Sequence, residues 1–330
     1  MIFSLLTFAL WGIADVFYKK GNSEKDDKYS DIKTGIIVGF VMGIYALIYM
    51  IVKKVEINFL DILKYLPVSL CYISSMVIGY KGLKYLELSI VSPVENTSGV
   101  ITSLLLILFF KEKYPIPVYI GIVLVFIGIM LIYSREKKEK RTIKNKNLLA
   151  IFLPITYCLL DGLGTFLDAL YLDKLELISE DTALIAYEFT FLIFAILGII
   201  YLKSKNEKVS LLLKEKYKGM AAVFETFGQF FYVFAMSSDS TLGATIVGSY
   251  CILSLILSRI FLKEKLKTEK YIAIGIAIIG LVLLVVNGVW FFHWGQSPMK
   301  KVMKNRDGEI NRTLVFFLIR RELWLTMLQH

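Results

Sequence analysis

Five carboxylates stand inside apolar runs of this 330-residue chain: Asp15, Glu95, Asp161, Glu188 and Glu225. Asp168 lies near the end of such a run, and Arg259 is a lone cation within one. An ionisable group in hydrocarbon is expensive unless it faces a cavity or a partner, so each is a candidate for function. Five acids against one base predict a cavity of negative potential, suited to a cation or to protons, if the faces that carry them turn inward.

Glu95 stands in SPVENTSG, residues 92–99, where Pro93 breaks the helix ladder and Asn96, Thr97 and Ser98 add polar groups. Carbonyls freed there, beside a carboxylate, could hold a substrate amine or a proton. Glu225 and Gln229 are four residues apart and share a helix face, with Tyr232 seven from Glu225. Such a stripe suits a pathway lining, although an interhelical hydrogen-bond seam has the same pattern. Glu188 follows Tyr187 in mid-run, and Trp11, Tyr72, Tyr157 and Tyr250 could stack on a substrate ring or hold an ammonium by cation–π contact.

Other chemistries lack their residues. His293 and His330 are the only histidines, and Cys71, Cys158 and Cys251 have no CxxC spacing, so neither a metal site nor a disulfide framework is expected. HExxH, GxSxG and GxxxxGK[ST] patterns are absent, which speaks against a zinc hydrolase, a serine hydrolase and an ATP-driven step within the chain. No catalytic residue and no cofactor is predicted.

The elements that must position these side chains are membrane spans. The chain is 56% hydrophobic and 20% charged, with a mean hydropathy of +0.64 and charges gathered between the apolar runs. A span needs about 20 apolar residues to cross roughly 30 Å of hydrocarbon. Ten runs near that length occur, at 2–18, 34–52, 65–80, 88–110, 117–133, 148–167, 182–202, 219–236, 242–262 and 271–290. The first lacks a basic start and a small-residue cleavage site, so it is expected to be a retained helix.

The net charge of +10 sits mainly in loops and a tail, which suits anionic lipid headgroups and argues against nucleic acid as a partner. Loops after odd spans hold 24 Lys and Arg and those after even spans hold 6. The positive-inside rule then places the odd loops, including REKKEKRTIKNK at 135–146, in the cytoplasm and both termini outside. Residues 313–328 are apolar but short and interrupted by Arg320, Arg321 and Glu322, so the 291–330 tail is expected to lie at the interface or be disordered.

The chain also repeats itself. FFKEK at 109–113 recurs as FLKEK at 261–265, and the same shift of 152 superposes Tyr80 on Tyr232, Tyr119 on Tyr271 and Gly128 on Gly280. A shift of 146 lays Asp15 over Asp161 and Trp11 over Tyr157. Five spans per copy force the second copy to enter the membrane from the opposite side, which gives inverted halves and a site near the midplane. Gly35, Gly39 and Gly43, a double GxxxG, and Gly121 with Gly128 read as close helix packing.

The five-plus-five arrangement, the Trp11–Gly12 pair and the KEK turn before a glycine-bearing last span in each half resemble the EamA-type drug/metabolite transporter family over residues 1–289. The resemblance implies a ten-helix carrier of small metabolites or drugs with both termini inside, which opposes the charge count. The expected organisation is all-α: a first five-helix repeat at 1–134, a basic linker at 135–147, a second repeat at 148–290 and the tail. The expected function is secondary transport of a small cationic or zwitterionic compound by alternating access, in the cell membrane, with lipid and a small-molecule substrate as partners and oligomeric state open. A non-transporting accessory or sensing subunit, or a membrane-embedded lipid-modifying enzyme, are the alternatives.

Overall fold

The structure, a computed structural model, describes residues 1–22, 28–86, 88–111, 113–139, 148–207, 215–263 and 268–296. Among them every regular element is a helix. In chain order these are α1 (Ile2–Asn22), α2 (Ser30–Lys53), α3 (Phe59–Tyr85), α4 (Leu88–Glu95), α5 (Thr97–Phe110), α6 (Ile116–Glu139), α7 (Leu148–Ala169), α8 (Glu180–Ser204), α9 (Lys216–Ser238), α10 (Ser240–Val247), α11 (Cys251–Leu257) and α12 (Thr268–Gln296). A π turn continues α7 over Leu170–Lys174, and another continues α11 over Ser258–Leu262.

Eight helical stretches are long and apolar enough to cross a membrane, and Ile116–Leu131 and Tyr271–Leu284 are shorter apolar helices. These ten coincide with the ten apolar runs once α4 with α5, and α10 with α11, are each counted as one broken span. Burial is inverted relative to a water-soluble globule. Ile48, Ile51 and Val52 on α2 and Leu108 and Phe109 on α5 are more than half exposed, whereas Glu95, Asp168, Glu188, Glu225 and Gln229 are buried. Apolar atoms outside and polar atoms inside is the arrangement that lipid stabilises.

Residues up to Val285 form one compact unit, and the described residues from Val286 on fall in a second. Of the second, only the helix as far as Gln296 is described. The last span thus continues past the expected end at Trp290, and residues 297–330, most of the expected tail, lie outside the described residues. So do Glu112 and residues 140–147 and 264–267.

Within the large unit, lipid supplies no hydrophobic drive between helices, so close approach of small residues holds the bundle together. A Cβ at Gly39 would lie 2.3 Å from the Phe191 carbonyl oxygen, which fixes α2 against the backbone of α8. A Cβ at Gly121 would lie 2.9 Å from the Gly280 carbonyl oxygen, and one at Gly280 2.7 Å from that of Gly121, so α6 and α12 meet through matching glycines.

The halves also make related contacts, through Thr102 and Ser254, 152 residues apart, and through Gly12 and Gly162, 150 apart. The Thr102 hydroxyl donates to the Gly162 carbonyl at 3.1 Å, and the Ser254 hydroxyl to the Gly12 carbonyl at 3.4 Å. Lys111 and Lys263, the first lysines of the two KEK turns, both take left-handed backbone, with φ of 51° and 56°, and stop their helices. Each half therefore ends its broken span with the same turn.

Candidate functional site

The two broken spans cross each other at their breaks. A Cβ at Gly99 would lie 2.3 Å from the Ala244 carbonyl oxygen and 3.0 Å from the Gly248 Cα, so only glycine fits. The first span breaks at Asn96, three residues after Pro93, which lies within α4. The second breaks at 248–250, where Ser249 and Tyr250 donate to carbonyls three residues back, at 3.2 and 2.9 Å. Such tightened turns satisfy backbone groups that an α-helix would have bonded, and they place irregular backbone where it borders a cavity.

Two of the carbonyls beside Glu95 are engaged by side chains. The Asn96 side-chain amide donates to the Ser92 carbonyl at 2.8 Å, and the Thr97 hydroxyl to the Val94 carbonyl at 2.6 Å. Two side-chain acceptors there are open: Glu95 Oε1 and Asn96 Oδ1 are buried and have no hydrogen-bond partner.

A cavity of about 820 Å³, counted out to its mouth, adjoins this crossing. Of the sequence-predicted residues, Trp11, Asp15, Glu95, Asn96, Tyr157, Asp161, Glu225, Gln229 and Tyr250 line it. Glu188 is absent from the lining. It is fully buried on α8, with neither carboxylate oxygen bonded.

Helices from both halves hold the carboxylates. Asp15 on α1 accepts from Ser92 of α4 at 2.7 Å and from Ser254 of α11 at 2.8 Å. Asp161 on α7 accepts from Ser98 of α5 at 2.6 Å. The first helix of each half thus reaches a serine on the broken span of the other, and these charge-assisted bonds fix both carboxylates. The lining carries four carboxyl groups and no lysine, arginine or histidine. Arg259 lies elsewhere, its guanidinium 5.9 Å from the Tyr271 ring centroid.

Aromatic rings complete the walls. Trp11 packs at 5.0 Å on Tyr232 and at 5.8 Å on Tyr250, and its indole N–H donates to the Glu225 carbonyl at 3.3 Å. Seven tyrosines line the cavity. Tyr18, which no sequence pattern singles out, and Tyr80, a repeat position, are among them. The two pack at 4.8 Å with hydroxyls 3.3 Å apart. The sequence carries a signal for Tyr80 alone, which superposes on Tyr232 in the stripe of Glu225.

The lining on α3 runs from Tyr72 to Leu83, toward the helix C-terminus. At its inner end the Tyr72 and Tyr232 hydroxyls are 2.6 Å apart, and the Tyr72 hydroxyl also donates to Thr165 at 3.3 Å. Two turns further along α3, about 10 Å away, the Tyr65 hydroxyl donates to the fully buried Asp168. Beyond that layer the connections interlock. Ser240 donates to Asp173 through its backbone N–H at 3.0 Å and its hydroxyl at 2.5 Å, and the Tyr114 hydroxyl donates to Asp239 at 3.1 Å. The Tyr49 hydroxyl bonds Asp181 at 2.6 Å. These layers cross-link the end that carries the short, poorly basic loops.

Comparisons with known proteins agree with this architecture. An uncharacterized protein of Methanocaldococcus jannaschii is 34% identical over 134 residues, which is 40% of this chain and 94% of that protein. A solved crystal structure superposes with a TM-score of 0.63 at 9% identity, covering 86% of this chain and 96% of its own, a likeness of fold alone. The EamA-like transporter family matches residues 1–134 and 148–286. With both five-helix halves matched and the breaks of the two halves crossing at one cavity, this multi-pass membrane protein belongs to the EamA-like transporter family.

Proposed function

We propose that the chain is a secondary transporter in the cell membrane. It moves a small metabolite or drug-like compound, cationic or zwitterionic, across the bilayer by alternating access, without covalent chemistry on its cargo. The observation that carries this reading is the cavity built from both halves at the crossing of the two broken spans, lined by Glu95 and by the hydrogen-bonded Tyr72–Tyr232 pair. Broken helices bordering a shared cavity are how repeat-built transporters expose polar groups to a substrate inside the bilayer.

In this reading the substrate sits among Glu95, Asn96, Glu225 and Gln229, between the hydroxyl-tethered Asp15 and Asp161. The closed layers from Tyr72 to Asp239 part while the opposite end shuts, by rocking of packed helices. The test compares small metabolites in medium and cytoplasm, by mass spectrometry, between cells with and without the overexpressed chain, each with and without a collapsed proton gradient. A specific compound that redistributes supports transport, and sensitivity to the gradient supports proton coupling. No redistribution by protein that is folded in the membrane would overturn the reading in favour of an accessory or sensing subunit.

A further inference from the structure

We infer that the cavity takes an organic amine without a carboxylate, its ammonium set against Glu95 and Asn96 and its body against the tyrosine and tryptophan rings. The inference rests on the reading of this cavity as the place of a transported substrate, and narrows it.

Charge sets the first limit. Four carboxyls line the cavity and no lysine, arginine or histidine does. A substrate carboxylate brought here would give up its water with no cation to meet it, and an unpaired buried anion is costly. Gln229 Nε2 is a buried donor without a partner, but a neutral amide offers an anion its N–H groups and no charge.

Hydrogen-bond accounting sets the second. Asp15 and Asp161 have serine donors. Glu95, 6% exposed, and Asn96, 3% exposed, each present an acceptor with none. Buried polar groups are nearly always satisfied, so two adjacent unsatisfied acceptors in a cavity wall describe a missing donor. An ammonium brings up to three N–H donors to one point together with the charge that suits Glu95.

Shape sets the third. A Cβ at Gly79 would lie 2.9 Å from the Tyr157 ring and 3.1 Å from Glu95 Oε1. The carboxylate and the ring therefore meet the same glycine of α3, and a cation against Glu95 is also close to an aromatic ring. A metal ion is a poorer fit, because no three histidine, cysteine or carboxylate groups come together to hold one among the described residues.

The full chain in lipid nanodiscs, tested by equilibrium dialysis with matched pairs, decides. Phenethylamine is compared with phenylalanine, and tryptamine with tryptophan. Each amine is expected to bind saturably and at least about ten-fold more tightly than its amino acid, and Glu95→Gln to weaken the amine about ten-fold or more. Equal or tighter binding of the amino acids, absence of amine binding to a monodisperse helical sample, or unchanged affinity in folded Glu95→Gln would each overturn the inference. Should the variant not fold, the pairwise comparison on the unaltered chain decides alone. Amine binding without flux in sealed proteoliposomes would defeat the transport reading and leave this inference standing. Flux of an amino acid without amine binding would do the reverse.

Discussion

Replacing Gly228 by alanine tests whether the Trp11 wall is built as described. A Cβ on Gly228 would lie 2.3 Å from Trp11 Cδ1 and 2.4 Å from Nε1. Carbon atoms in contact sit about 3.5–4.0 Å apart, so the indole must retreat by roughly 1.2 Å or more. Its N–H bond to the Glu225 carbonyl is already 3.3 Å long and would be lost, at about 1 kcal/mol. The ring contacts with Tyr232 and Tyr250 would loosen as well, each contributing about 0.5–1.5 kcal/mol. Alanine regains up to about 1 kcal/mol in a helix interior, so overall stability should change little while the cavity wall shifts. Ligand affinity is then expected to fall by about 1–2 kcal/mol, roughly 5- to 30-fold. Gly275→Ala is the matched control, since a Cβ there meets nothing within 4 Å. The chain has 4 tryptophans, and with Trp290, Trp294 and Trp324 changed to phenylalanine the emission of Trp11 reports the displacement directly. Unshifted emission together with an affinity within two-fold of the parent would refute the reasoning.

Gly39→Ala should lower the thermal transition of the membrane-embedded protein, by a loss of about 1–3 kcal/mol, because its Cβ meets the Phe191 backbone, which cannot turn aside as a side chain can. A scan matching that of Gly275→Ala would contradict the tight α2–α8 contact. Tyr72→Phe removes two buried hydroxyl bonds, to Tyr232 and to Thr165, about 1 kcal/mol each, so this layer should open about five- to thirty-fold more often. Labelling of a cysteine at Thr165 from the Asp239 side measures this, and an unchanged rate would argue against a gate at this layer. Glu188→Gln should leave ligand affinity within two-fold, since Glu188 does not line the cavity. A ten-fold loss in the same binding assay would show that Glu188 is coupled to the site.

Ten spans were legible because ten apolar runs are separated by charged loops, and lipid permits little else. The run at 65–80 understated α3, which starts at Phe59. There Asn58 and Asp61 cap the helix, with the Asn58 N–H donating to Asp61 at 3.1 Å, and polar capping residues fall below any hydropathy threshold. Glu95 and Asn96 were legible beside a proline. The serine tethers were not, since Ser92, Ser98 and Ser254 are ordinary residues until the spans cross. Membrane helices carry apolar residues on every face, so spacing alone does not decide which of 19 tyrosines turn inward, Tyr18 among them. Glu188 shows the converse: burial within a span identified an unusual group, but only the packing of α8 shows that it stands apart from the cavity.

The most direct test of the central claim, that a substrate passes through the cavity at Glu95, is amine counterflow in proteoliposomes of the unaltered chain and of Glu95→Gln. Saturable exchange by the unaltered chain, reduced ten-fold or more in a variant of equal incorporation and helical content, is the predicted result. Equal exchange by both proteins would contradict it, and exchange by neither would defeat the amine inference.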